Sequence, residues 1–269
     1  MKTDSPETVL VTGASSGIGL ELARCFAADQ SNLILVARNT AAMEQLAAEL
    51  RSKYSITVHV FTADLSQSEL PRQIFEQAGR AGLTVDVLVN NAGFGLHGSF
   101  AGLPLDRQMA LIQVNIASLV ELTGLFLPGM IQRRCGGILN VGSVAGFLPG
   151  PDMAVYYATK AFVLSFTEAL HEELRGGGVT ATALCPGPTQ THFSLTARGY
   201  HTREMQAAKM SAAAVAHAGH RAYRQGRCVD IPGLKNRLTT QLVRMVPRSI
   251  IRRAVARYNQ VKQGTPIKK

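Results

Sequence analysis

Four cysteines are all that the chain contains, and Cys25, Cys135, Cys185 and Cys228 stand far apart in sequence. Neither a disulfide framework nor a thiolate metal site has that spacing, so they read as free thiols of a reducing compartment, and the expected location is cytoplasmic. Histidines and carboxylates show no metal-ligand spacing either, and no metal is implied. The opening residues, MKTDSPE, lack the apolar core of a signal peptide. Long hydrophobic runs are also scarce: the stretch 116–131 is too short for a membrane span and carries Glu121. Acidic residues are missing altogether after Asp230, the last of the chain's 18.

What remains is the composition of a globular domain. With 269 residues, 46% of them hydrophobic and 17% charged, a single domain can bury a sizeable core. Strand-like runs near 8–12, 33–37, 56–61, 85–89, 136–141 and 179–184 alternate with helical patterns near 18–28, 40–52, 67–81, 104–133, 155–175 and 211–225. That alternation predicts an α/β fold, a doubly wound parallel sheet of the Rossmann type with helices on both faces. The expected organisation is one sheet domain over 1–230 and a basic helical extension over 231–269.

Chemistry enters with the glycines. TGASSGIG at 12–19 lies between the β-branched run TVLV and the helical pattern from Ile18 to Ala28, so the turn feeds a strand into a helix. Gly13 permits a tight turn, Gly17 lets backbone approach a phosphate, and Gly19 lets helix and strand pack closely. An anion would rest on the helix N-terminus. The spacing is G-x-x-x-G-x-G, which departs from the usual dinucleotide fingerprint. Further along, Tyr156 and Lys160 stand i and i+4 on a predicted helix, so an ammonium can stabilise a phenolate. Tyr157 reaches Lys160 at i+3, and periodicity does not choose between the two tyrosines. Ser143 follows the strand ILNVG at the end where ligands bind in open α/β sheets, and its hydroxyl can donate to a carbonyl oxygen that is gaining charge.

TGASSGIG, NNAG at 90–93, Ser143 and Tyr156 with Lys160, in that order, make residues 7–230 resemble the short-chain dehydrogenase/reductase family. The resemblance implies a cofactor site formed by Gly13, Ser15, Ser16, Gly17, Ile18 and Gly19 on the pyrophosphate side, with Asn91, Ala92 and Gly93 of NNAG supporting the central strand. It selects Tyr156 as acid/base and assigns Asn115, Ser143, Tyr156 and Lys160 to the chemistry, with Asn115 binding a water that links Lys160 to solvent. The other reading of Asn115 is an amide satisfied by helix backbone. Asp64 and Leu65, in TADL, would meet the adenine; alone, Asp64 reads as a helix cap. Tyr156, Lys160, Pro186, Gly187 and Thr189 would surround the nicotinamide, with Thr191 unranked against Thr189.

The second strand ends in LVARN. Arg38 stands about where a carboxylate would hold an adenosine ribose, and a cation there suits the 2′-phosphate of NADP(H), unless it merely ends the strand in solvent. Loops after the strands carry Phe94, Leu96, Phe147, Leu148, Met153, Phe193 and Leu195, which predicts an apolar carbonyl substrate. His97 is expected to face solvent.

The extension is where the charge collects. Residues 1–230 hold 18 charges of each sign, whereas 231–269 hold ten basic residues. Leu234, Leu238, Leu242 and Met245 form one helical stripe, and Ile250, Ile251, Ala254, Val255, Tyr258 and Val261 a second, with Pro247 between them. The expectation is that 231–245 packs on the domain and that the Arg-rich helix after Pro247 touches an anionic membrane or a partner. Nucleic acid is not expected. The leading reading is an NADPH-dependent carbonyl reductase, homo-oligomeric through its long helices. The alternatives are a non-catalytic cofactor-binding protein and a lipid-surface binding protein on the same fold.

Overall fold

A computed structural model describes residues 6–191 and 210–261. Its centre is a seven-stranded parallel sheet in the order β3-β2-β1-β4-β5-β6-β9, built from β1 (Thr8–Thr12), β2 (Asn32–Ala37), β3 (Val58–Thr62), β4 (Val87–Asn90), β5 (Gly136–Val141), β6 (Val179–Leu184) and β9 (Val229–Asp230). A two-stranded parallel pair, β7 (Thr189–Gln190) with β8 (Met210–Ser211), stands beside it. The fold is a single-domain, doubly wound Rossmann-type α/β structure.

Alternation along each strand sorts the core into two layers. Val9, Val11, Leu33, Leu35, Val87 and Val89 face α1 (Gly17–Ala28), α2 (Thr40–Tyr54) and the later α7 (Ala212–Arg224). Leu10, Ile34, Val36, Leu88 and Ile138 face α3 (Leu70–Arg80), α5 (Ser118–Arg133) and α6 (Ala154–Glu173). Both faces are thus covered, and the strands read as apolar runs for that reason.

The sheet reverses direction of winding between β1 and β4, which pair in parallel through Val9–Val87, Leu10–Leu88 and Val11–Val89. Ligands of open α/β sheets bind at such a switch point, beyond the carboxyl ends of the strands. TGASSGIG leaves β1 at this edge, NNAG leaves β4, and Ser143 follows β5.

Three elements depart from the sequence expectation. The helical pattern over 104–133 is α4 (Leu105–Ile112), a π-helical turn at Gln113–Ala117 and α5, continuous over Leu105–Arg133. At 29 residues this run is long and apolar enough to cross a membrane by length and composition, which corrects the estimate from 116–131. It is nonetheless part of the domain, with Leu111, Leu119, Leu122, Phe126 and Met130 buried. The strand β9 has two residues, too few for any alternation to show. Beyond it, α8 (Leu234–Met245) packs on the body through Thr240, and α9 (Arg248–Val261), expected to reach outward, packs there as well. Ile251 and Val255 of α9 are buried, while Leu234, Leu238, Leu242 and Met245 of α8 are exposed.

Candidate active site

The glycine turn is close-packed against NNAG. Gly13 and Gly17 have φ of +66° and +59°, where a side chain is strained. At Gly19 an added Cβ would lie 2.3 Å from Asn91 Nδ2 and 2.4 Å from the Gly13 oxygen. Asn91 in turn donates to the Thr12 carbonyl at 2.8 Å, and the Asn91 and Ala92 amides both donate to Thr12 Oγ1 at 3.0 Å. NNAG therefore fixes the end of β1 through bonds between side chain and main chain. Ser16 precedes α1 without a side-chain hydrogen bond to it, which leaves the helix N-terminus open to an anion. A dinucleotide pyrophosphate fits this cradle: close backbone approach, glycines where a Cβ would intrude, and a helix dipole aimed at the charge.

Around the adenosine end, Arg38 follows β2 and is 78% exposed, with its guanidinium 4.0 Å from the Asp64 carboxylate. Asp64 caps no helix; its Oδ1 accepts from the Ser66 amide at 3.1 Å in a tight turn. Leu65 is buried, and its carbonyl accepts from Ser118. Thr189 donates to the Gly187 carbonyl at 2.9 Å. Thr191, by contrast, lies over the glycine turn, 3.0 Å from where a Gly17 Cβ would stand.

Ser143, Tyr156 and Lys160 converge at the ends of β5 and β6. Ser143 begins the short 3-10 turn Val144–Phe147, with its Oγ accepting from the Ala145 amide at 3.1 Å. The same side chain is hydrogen-bonded to the Tyr156 phenol. Lys160, one turn further along α6, donates from Nζ to the Val141 carbonyl at 2.8 Å. Tyr157 takes a different direction: its phenol meets Asn259 of α9, and its ring packs under Gly150. Geometry thus separates two tyrosines that helical spacing leaves equivalent.

Burial dominates the titration of this cluster. It pushes the Tyr156 phenol up to about 12, against the Ser143 hydrogen bond, and pushes the Lys160 ammonium down to about 8. The Ser143 hydrogen bond is the contact that opposes burial at the Tyr156 phenol, while Lys160 Nζ donates to the Val141 carbonyl. The Cys185 thiol beside them is likewise raised to about 12 by burial.

Asn115 lies in the π-helical turn Gln113–Ala117. Its amide donates to Thr159 Oγ1 at 3.0 Å and to the Phe94 carbonyl at 3.1 Å, and its Oδ1 accepts from the Phe94 amide. The partners are a loop and a neighbouring helix rather than its own helix backbone. Gly93 joins Asn115 to Lys160: a Cβ there would stand 3.0 Å from Asn115 Oδ1 and 3.7 Å from Lys160 Nζ. π-Bulges recur at functional sites because they turn backbone groups out of the helical ladder.

The apolar wall draws on distant residues. Phe94, Leu96, Leu148 and Met153 gather around Tyr156 and Tyr157 together with Leu111, Ile251 and Val255. Phe147 packs elsewhere, against Leu164, Ala183, Cys185 and Ile231, and Phe193 and Leu195 lie outside the described residues. A recess lined by Leu96, Phe100, Leu103, Leu111 and Met153 reaches Tyr156. Asn259 fastens α9 over this wall, donating to the Pro151 carbonyl while its own carbonyl meets His97 Nε2 at 3.3 Å. His97 is therefore partly buried against α9 instead of facing solvent. On the other side, Asn236 of α8 lies against Gly187, where a Cβ would be 2.5 Å from it.

Dinucleotide-dependent oxidoreductases are the class that this sheet edge defines, since an anion cradle at the switch point opens directly onto a buried phenol and ammonium. The profile described as short chain dehydrogenase matches residues 7–199. Very-long-chain 3-oxoacyl-CoA reductase of Homo sapiens is 35% identical over 184 residues, covering 67% of this chain and 58% of that protein; the chain thus spans little more than half of that relative. Ketoacyl reductase HetN of Nostoc sp. is 33% identical over 199 residues, covering 74% and 69%. Among solved structures, a short-chain dehydrogenase from Sphingobium yanoikuyae in complex with NADPH superposes with a TM-score of 0.79 at 30% identity over 98% of each chain. The bulky-bulky ketone specific alcohol dehydrogenase of Comamonas testosteroni gives 0.75 at 30% identity over 99% and 98%. The chain belongs to the short-chain dehydrogenase/reductase family.

Proposed function

We propose that the protein reduces the ketone of an apolar substrate, a 3-oxoacyl chain carried as a thioester, with NADPH preferred to NADH. The observation that carries this reading is the recess lined by Leu96, Phe100, Leu103, Leu111 and Met153, with the amide of Gln108, which reaches Tyr156, whose phenol is hydrogen-bonded to Ser143. When bound, the dinucleotide supplies the hydride. Ser143 donates a hydrogen bond to the carbonyl oxygen as charge develops on it. Tyr156, whose raised pKa keeps the phenol protonated through the physiological range, gives its proton to that oxygen. Lys160 stabilises the phenolate left behind, and Asn115, held by Phe94 and Thr159 beside Gly93, binds a water that links Lys160 to solvent.

Preference for NADPH rests on Arg38, an exposed cation at the end of β2 held only loosely, at 4.0 Å, by the Asp64 carboxylate. The names of the relatives support the acyl chain, as do the apolar side chains of Phe94, Leu96, Leu111, Leu148 and Met153 around Tyr156. A non-catalytic binding role is not favoured, since no member of the set is missing. Exposed Phe162 on α6, with Val120 and Ile131 on α5, suits a homo-oligomer formed through the long helices. The four free cysteines suit a reducing, cytoplasmic setting.

A substrate panel tests the reading. With NADPH, kcat/KM should rise along a series of 3-oxoacyl-CoA chains and exceed that for a polyol ketone. A preference for polyols, or a flat response to chain length, would contradict it.

A further inference from the structure

Helix α8 is built inside out. Its inward face carries Asn236, Thr240 and Val243, with Thr240 2% exposed. On the opposite face Leu234, Leu238, Leu242 and Met245 are 72%, 54%, 60% and 83% exposed. A helix of this length carries such a stripe for about 16 Å, and Ile250 at 56% extends it past Pro247. An ordinary surface helix turns its leucines inward, so an apolar face left in water marks a contact surface.

The residues around the stripe say what it contacts. Lys235 flanks it on one side, Arg237 and Arg244 on the other, and Arg248, Arg252, Arg253 and Arg257 follow. Residues 231–269 contain no carboxylate at all. Among the described residues only Arg237 of this group has a carboxylate within salt-bridge distance, Asp230 at 3.6 Å. Two copies of this face would bring like charges together, which opposes self-association. Aliphatic residues along one line with long cations on the flanks are the pattern of a helix lying in a lipid surface, with the leucines among acyl chains and the basic groups at headgroup level.

We infer that α8 docks the protein on an anionic bilayer surface through Leu234, Leu238, Leu242 and Met245. This reassigns the membrane contact from the helix after Pro247, whose Ile251 and Val255 are occupied in the core, to the helix before it. Because Asn236 of the same helix abuts Gly187, docking would place the site against the surface from which an acyl substrate is drawn. The docking claim itself does not depend on the proposed substrate.

Co-sedimentation of the full chain with phosphatidylcholine vesicles, with and without phosphatidylglycerol, tests it without any turnover. Binding should require phosphatidylglycerol, weaken at about 0.5 M salt, and fall at least about tenfold in a Leu238→Ser, Leu242→Ser double variant. Both sites are exposed, so the variant keeps its fold. Failure of the full chain to bind at low salt, or equal binding by the variant, would overturn the inference. So would either of two findings without vesicles: a loss of kcat/KM toward a soluble ketone, which would assign the stripe to the protein's own active site, or a smaller assembly in solution, which would assign it to a second copy.

Discussion

The two walls of the cleft are made in opposite ways. The cofactor wall is main chain and small residues in immediate contact, Gly13 and Gly19 against Asn91, and Thr12 against Ala92. The substrate wall is side chains gathered from far apart, Leu96 and Met153 with Ile251 and Val255, fastened by Asn259 to Pro151 and His97. Where backbone must touch backbone, sterics leave one residue type, and the requirement is written locally. Where aliphatic groups merely fill space, many residues serve, and only the folded chain shows which of them meet.

The sharpest way to break this division is at the tyrosines, which lie between the walls. Tyr156→Phe keeps the ring and removes the proton donor, so kcat should fall about a thousandfold while NADPH binding, read by fluorescence titration, survives. Tyr157→Phe should retain most activity and lose only the contact with Asn259. A dead Tyr157→Phe enzyme would reverse the assignment.

A smaller effect is expected on the cofactor wall. Gly19→Ala forces a methyl into Asn91 and the Gly13 carbonyl, and NADPH affinity should drop about a hundredfold or the variant should lose about 3 kcal/mol of stability. Unchanged binding and stability would show that the turn is looser than described. Arg38→Asp should lower the NADPH to NADH ratio of kcat/KM by at least about tenfold, because it replaces a charge-assisted contact by repulsion. Comparable wild-type values for both cofactors would remove Arg38 from the account.

The smallest effect concerns stability and pH. Lys160 titrates near 8 instead of 10.5 because burial disfavours its charge. The unfolded chain therefore holds that proton more tightly, and the penalty is full below pH 8 and disappears as pH passes about 10.5. Lys160→Met removes the charge. Its stability relative to wild type should be more favourable at pH 7 than at about pH 10.5, by up to about 3 kcal/mol in urea unfolding. The charge dependence of the bond to the Val141 carbonyl is already contained in the folded-state pKa, so the difference between the two pH values follows from the two pKa values alone. A variant equally destabilised at both would mean that the charge carries no such cost.

Legibility followed the same line. TGASSGIG, Ser143 and a tyrosine–lysine pair were readable because spacing places them at strand ends and on one helix face, while NNAG and the choice of Tyr156 over Tyr157 came from the family resemblance, and the structure bonds Ser143 to Tyr156. Six strands emerged from their apolar runs, whereas β9 was too short to leave a period. The π-turn at Asn115 had no signal, since five residues of widened helix preserve the local apolar pattern. The extension misled for a clearer reason. Both of its helices carry one apolar stripe, and periodicity reports that a stripe exists but not which way it faces. Long-range packing turned Ile251 and Val255 inward and left Leu238 and Leu242 outside. Asn259 and His97 were missed because their partners lie 108 and 162 residues away in sequence.

Removing α9 by ending the chain after Val246 is the measurement that bears most directly on the division between the walls. It takes Ile251, Val255 and Asn259 from the substrate wall and touches nothing at the glycine turn. NADPH affinity should stay within about threefold, while KM for long 3-oxoacyl chains rises by about tenfold or more and the advantage of long over short chains is lost. If the truncated enzyme keeps its chain-length preference, or if NADPH affinity falls as far as substrate KM rises, the two walls are not independent and the account is wrong.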